Sequence, residues 1–190
     1  MSERASEPSS TAPAKPVLVL VGPPASGKTT VGTAVAATLD VGFRDTDRDV
    51  EDEAGTTVAE IFVNQGEPRF RALEALAVER ALTDHDGVLA LGGGAVLDPA
   101  TRASLVAYEK GGGVVVHLDV DVPSAAKRVG LGRERPILGV NPRAMLRAML
   151  EERAPLYAEV ATVSVSTTGR SPEDVVAEVL AALSTARAGR

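Results

Sequence analysis

"VLVLVGPPASGKTT", residues 17–30, runs from five apolar residues into a loop of the form G-x-x-x-x-G-K-[ST]. Gly22, Gly27, Lys28 and Thr29 occupy the fixed positions, with Ala25, Ser26 and Thr30 completing the loop. The chemistry requires these types. Glycines let the backbone turn tightly and aim its N–H groups at phosphate oxygens. The Lys28 ammonium reaches β- and γ-phosphates, and the Thr29 hydroxyl reaches Mg²⁺. The following "KTTVGTAVAATL" reads as a helix, whose positive dipole end faces the same anion. A chance Gly-rich turn would not match every position between a strand and a helix. A nucleotide and Mg²⁺ are thus the expected ligands. Ala25 stands where such loops often carry Gly, and it costs about 1 kcal/mol if the position needs positive φ.

Outward from the loop, strand-like runs recur at Val17–Val21, Val41–Arg44, Val88–Leu91, Val114–Leu118 and Thr162–Val165. Helical stretches separate them. In "PRFRALEALAVERAL", Phe70, Leu73, Leu76 and Ala77 keep helical spacing. The alternation predicts an α/β fold, a five-stranded parallel sheet between two layers of helices. Residues 17–187 form the expected single domain, after a Ser/Pro/Ala-rich tail over 1–16 that reads as disordered rather than as a signal peptide. "GLGRERPILGVN", 130–141, is Gly-rich and charged and reads as a mobile lid.

Composition removes several classes of function. There is no Cys, so disulfide and thiolate chemistry are excluded. His85 and His117 are too few and too scattered for a zinc site and read as structural or solvated. No apolar run approaches membrane-spanning length. The net charge of −6 argues against a nucleic-acid binder. Within 127–153, however, seven Lys and Arg face three Glu, a local +4 that suits a small anionic ligand. Arg143 and Arg147, spaced i, i+4, read as a solvated helix face. The cytoplasm is the default compartment, a monomer the expected state, and nothing marks a protein partner.

Ligands of open parallel sheets sit at the carboxyl ends of the strands. There the second strand runs into "DTD", whose Asp45 and Asp47 would share a face of an extended chain. They are candidates for Mg²⁺ and for an acceptor hydroxyl. The third strand ends in Gly92, Gly93 and Gly94, which remove side chains where a ligand should lie. Arg71 has Glu74 three residues on, able to orient it, and Arg153 lies in "EERAPLY".

"GPPASGKTT", "DTD", "FRALE", "GGGAV", "RERPIL", "RAPLY" and "TTGRSPE" follow in this order over roughly 17–185. The set resembles the shikimate kinase family, ATP-dependent phosphotransferases of the nucleoside-monophosphate-kinase-like P-loop fold. The resemblance implies phosphorylation of the 3-hydroxyl of shikimate, on the route to chorismate and the aromatic amino acids. It implies that Lys28, Asp47 and Arg135 are catalytic, and that Asp45 holds Mg²⁺ through water beside Thr29. It puts Arg71 and Arg153 on the shikimate carboxylate, Asp47 on its hydroxyls, and Gly92–Gly94, Phe62 and Phe70 around it. Arg128, Arg170 and Pro172 match positions around adenine, and Arg135 matches a lid arginine over the phosphates. A gluconate-type kinase would share the loop and fold but not "GGGAV" and "RAPLY". A GTP switch would need an N-K-x-D motif, and the sequence has none. A degenerate binding protein would not keep Lys28, Asp45, Asp47 and Arg135.

Overall fold

The computed structural model describes residues 15–131 and 141–189. Five strands form one parallel sheet: β1 (Leu18–Val21), β2 (Phe43–Asp45), β3 (Val88–Ala90), β4 (Val115–Asp119) and β5 (Val163–Ser166), in the order β2-β3-β1-β4-β5. The central strands β3, β1 and β4 are short and largely apolar because both their faces are covered, while the edge strands β2 and β5 carry polar residues. Leu18 and Leu20 of β1 point into one core with Val31, Val35 and Ala36 of α1 (Lys28–Leu39) and Val175, Val179 and Leu183 of α8 (Pro172–Ala188). Val19 and Val21 point the other way. They meet Val78 and Ala81 of α4 (Glu67–Asp84), Leu105 of α5 (Pro99–Lys110), and Tyr157 and Val160 of α7 (Pro142–Val160). This is the three-layer α/β/α arrangement expected, built on the two-residue period of a strand.

A third, smaller core lies beyond the sheet. It joins Val50 of α2 (Thr46–Ala54), Ile61 of α3 (Val58–Gln65), and Phe70, Leu73 and Ala77 of α4. Leu76 departs from the expected apolar stripe, since it is 43% exposed. Its neighbours at i−3 and i+1 already fill the buried arc of α4. The remaining helix, α6 (Val122–Arg128), follows β4. Pro16, assigned above to the tail, is buried, and its carbonyl accepts the Tyr108 hydroxyl at 2.8 Å. No helix among the described residues is long and apolar enough to cross a membrane.

Register and capping bring the loops together. Asp45 pairs with Ala90 and Ala90 with Leu20, so β1, β2 and β3 end within one residue of one another, and β4, whose His117 pairs with Val21, runs two residues further. Helices α2, α3, α5, α6, α7 and α8 each carry a side-chain cap, from Asp45, Thr57, Asp98, Asp121, Asn141 and Ser171. α1 has none, and no acidic residue in its first turn. Its first N–H groups and positive dipole end are therefore left for an anion.

Candidate active site

The loop between β1 and α1 is held by backbone geometry. Gly22 has φ 151°, and a Cβ there would lie 2.6 Å from the Leu118 carbonyl oxygen and 2.9 Å from Ser26 Oγ. Ala25 does adopt positive φ, 64°, the conformation in which a Cβ is strained. Its carbonyl accepts Arg128 Nη1 at 3.0 Å, and Arg128 is fixed in turn by the Thr167 hydroxyl and carbonyl at 2.9 and 2.7 Å. Ser26 is fully buried, and its hydroxyl has no partner among the described residues.

Lys28 folds back over the loop. Its Nζ donates to the carbonyls of Gly22 and Pro23, at 2.8 and 3.0 Å. Burial pulls its pKa down to about 8, and the charges of Asp47 and Asp45 oppose that fall. An ammonium held this way gains a strong partner once a phosphate oxygen arrives.

Asp45 and Asp47 do not share an extended face. β2 ends at Asp45 and α2 begins at Thr46, so Asp45 is a helix cap and Asp47 lies in the first turn. Asp45 Oδ1 accepts the Asp47 N–H at 3.1 Å, while Oδ2 accepts the Thr29 hydroxyl at 3.0 Å. Asp47 turns instead toward Gly92, where an added Cβ would lie 2.4 Å from Oδ1. Burial raises the Asp47 pKa, helped by Asp45 and opposed by Lys28. The helix start thus sends two aspartates two residues apart in different directions.

The three glycines have a steric reason as well. A Cβ on Gly92 would also strike Glu74 Oε1 at 2.5 Å, one on Gly93 would strike Pro24, and one on Gly94 would strike the Arg71 guanidinium at 2.1 Å. The buried Thr46 hydroxyl accepts the Gly92 N–H at 2.9 Å and fixes the stretch from beneath.

Arg71 is oriented by carboxylates: Glu74 at 2.5 Å and Glu67 at 3.0 Å. Glu74 is nearly buried; burial raises its pKa, and Arg71 opposes that. Burial works against the Arg71 charge, yet the bonds to Glu74 and Glu67 prevail and raise its pKa. The guanidinium also lies 5.1 Å from the Phe70 ring centroid and 6.0 Å from that of Phe62, within cation–π range. Arg153 comes from α7 and donates from Nη1 to the Gly93 carbonyl at 3.1 Å.

Arg170 binds Glu178 and the carbonyls of Ser166 and Asp174, next to Pro172 at the start of α8. Arg135, and most of the lid expected over 130–141, lie outside the described residues. His117 sits inside β4 rather than at its end, stacked on Tyr157, with its pKa lowered by burial. Arg143 and Arg147 are exposed, and Arg143 Nε also donates to the Leu131 carbonyl at 3.3 Å. A cavity of about 470 Å³ between α6 and α7 includes them but none of the strand-end residues. Two functional candidates escaped the sequence reading, Thr46 and Tyr157. Tyr157 donates to the Gly93 carbonyl at 2.6 Å.

An uncapped helix behind a glycine loop, a lysine over it, and Asp47, Glu74 and Arg71 gathered at a side-chain-free stretch one strand away define a P-loop phosphotransferase of small molecules. The shikimate kinase family profile matches residues 24–184. A shikimate kinase of Salinispora arenicola (strain CNS-205) is 57% identical over 168 residues, covering 88% of this chain and 98% of that protein. The structure of a shikimate kinase from Acinetobacter baumannii in complex with shikimate superposes with TM-score 0.80 at 34% identity, covering 90% of this chain and 94% of that one. A gluconokinase from Sinorhizobium meliloti 1021 has TM-score 0.60 at 23% identity over 93% of this chain and 95% of its own, a likeness of fold alone. The chain belongs to the shikimate kinase family. It is an enzyme that phosphorylates shikimate with ATP as co-substrate, a step of aromatic amino-acid biosynthesis.

Proposed function

We propose that the strand-end residues divide into a phosphate-and-metal half and an acceptor half, which together move the γ-phosphoryl group of ATP onto the 3-hydroxyl of shikimate. One observation carries this reading. Asp47, Glu74 and Arg71 crowd around the side-chain-free Gly92–Gly94, on the strand beside the glycine loop.

On the phosphate side, the loop N–H groups and the open end of α1 hold the phosphates. Lys28 leaves the Gly22 and Pro23 carbonyls for the β- and γ-oxygens. Thr29 and Asp45 fit Mg²⁺: a hydroxyl and a carboxylate, hard oxygen donors side by side, suffice when water and phosphates complete the shell. When bound, the ion offsets the charge that builds on the transferring group. Asp45 would hold it through water. Arg128, Arg170 and Pro172 flank the adenine, and Arg135 closes over the phosphates.

On the acceptor side, Arg71 and Arg153 grip the carboxylate, because guanidinium forks match it in geometry where an ammonium does not. The amides of Gly93 and Gly94 meet the ring substituents, and Phe62 and Phe70 wall its apolar edge. Asp47, whose proton affinity is raised by burial, accepts the hydroxyl proton. The chain acts as a cytoplasmic monomer with no nucleic-acid partner, in keeping with its net charge of −6.

The test is the position of the new ester. With ATP, Mg²⁺ and shikimate, phosphorus–proton coupling in the product should appear at H3, and gluconate should release no ADP. Coupling at H4 or H5, or turnover of gluconate at a similar rate, would overturn this reading.

A further inference from the structure

We propose that Tyr157 is a positioning residue for the acceptor: its hydroxyl fixes the Gly93 carbonyl on which Arg153 is seated. The inference rests on the reading of Arg153 as a carboxylate clamp. The two clamp arginines are held by different means. Arg71 has two carboxylate partners, whereas among the described residues Arg153 has no ion pair, and its Nε is buried without a partner. Arg153 is seated on the Gly93 carbonyl, which also accepts Tyr157, and its guanidinium acts directly on the Tyr157 hydroxyl as well, opposing the rise in the phenol pKa.

Arg153 and Tyr157 are four apart on α7 and so share a face. Pro155 lies between them inside the helix. A proline there removes one backbone bond and loosens the turn, so the helix alone does not fix the arginine. The Tyr157 ring supplies the missing anchor. It is 2% exposed and stacks on His117 with centroids 4.8 Å apart and planes 15° apart. His117 lies 3.3 Å from the Ser164 hydroxyl of β5. A ring buried and stacked on a residue of β4, itself tied to β5, cannot follow the carbonyl; the carbonyl must stay with it. Burial pushes the phenol pKa up to about 12, so the hydroxyl remains a donor across the working range.

This arrangement has a chemical merit. A carboxylate partner would orient Arg153 but would compete with the ligand for its charge. A carbonyl orients it and leaves the charge for an anionic acceptor.

Tyr157→Phe keeps the ring, the stack and the packing, and deletes one oxygen. The KM for shikimate should rise about fivefold, the effect of one neutral hydrogen bond, while the KM for ATP stays put. In an Arg153→Ala background the same change should add nothing. An unchanged shikimate KM, an equal rise for both substrates, or full additivity with Arg153→Ala would overturn the inference. If Arg153→Ala itself leaves shikimate KM unchanged, the clamp reading fails instead, so the two failures are distinct. Should Tyr157→Phe fold poorly, 3-fluorotyrosine at 157 serves in its place. Its fluorine resonance should move on adding shikimate and stay still in the Arg153→Ala protein. No movement in either would overturn the proposal.

Discussion

The glycine loop and the proposed acceptor pocket around Gly92–Gly94 adjoin, yet they are built on opposite plans. The loop is one contiguous segment whose work is done by backbone: Gly22 and Gly27 at positive φ, an uncapped α1, and a lysine resting on the loop's own carbonyls. The pocket draws on α2, α4, the stretch after β3, and α7, and its work is done by side chains that hold one another. A backbone site tolerates changes of side chain, even a strained Ala25. A side-chain site loses function when one partner goes. Changes in the pocket should therefore damage acceptor use selectively.

The sharpest attempt to break this division is Asp47→Asn. Asparagine keeps the shape but not the charge that favours departure of the hydroxyl proton. Turnover should fall by about 10²–10⁴-fold. If the transition state is loose, the loss comes from a misplaced hydroxyl instead. ATP binding by calorimetry should survive; a parallel loss would mean that the halves are not separable.

Arg153→Ala should come next in size. Removing one partner of a desolvated ion pair costs about 2–5 kcal/mol, and about 1.4 kcal/mol is tenfold, so shikimate affinity should fall by tens of fold or more. ATP affinity should hold. Equal damage to both would make Arg153 structural or phosphate-facing.

On the loop side, Lys28 supplies a pH test. Its pKa in the free protein is about 8, so above that pH the side chain is mostly neutral. Phosphates favour the ammonium, so ATP binding should take up a proton above pH 8 and none well below it. Apparent ATP affinity should decline as pH rises through 8. Without ligand, the unfolded chain keeps this proton up to about 10.5 and the folded chain loses it near 8. Lys28's contribution to stability therefore improves across that window. Calorimetry at pH 8.5 in buffers of different ionisation heat measures the uptake, and Lys28→Met should abolish it. Zero uptake in the unaltered protein would place Lys28 outside phosphate binding.

The smallest expected effect is that of Ala25→Gly. Relief of the left-handed strain should stabilise the fold by up to about 1 kcal/mol, or about 2–4 °C in Tm for a chain of this size. ATP affinity should barely move. A lower Tm would mean that the freedom glycine gives the unfolded chain outweighs the strain it relieves.

Legibility in the sequence follows the same division. The loop and its Lys28 and Thr29 are contiguous, so spacing alone reports them, and strand–helix alternation reports the sheet. The pocket depends on partners 46 and 64 residues apart, as in Thr46 with Gly92 and Tyr157 with Gly93. No local pattern reports such pairs. Asp45 and Asp47 were singled out on the assumption of an extended chain. The helix start at Thr46 sends them apart, and the two proposed roles rest on that divergence. Glu74 beside Arg71 was legible because i, i+3 neighbours meet on any helix. Tyr157 gave no signal, since an aromatic residue on a helix reads as core, and its ring is core. Arg71, Arg153 and the glycines acquired roles through the family resemblance, not through spacing.

The two aspartates at the start of α2 are where the halves meet. Titrating Mg²⁺ and shikimate against Asp45→Asn and Asp47→Asn tests the division directly. Asp45→Asn should raise the Mg²⁺ needed for half-maximal rate and leave the shikimate KM nearly unchanged, while Asp47→Asn should stay slow at any Mg²⁺ concentration. Rescue of Asp47→Asn by excess Mg²⁺, with Asp45→Asn beyond rescue, would contradict the account and exchange the two roles.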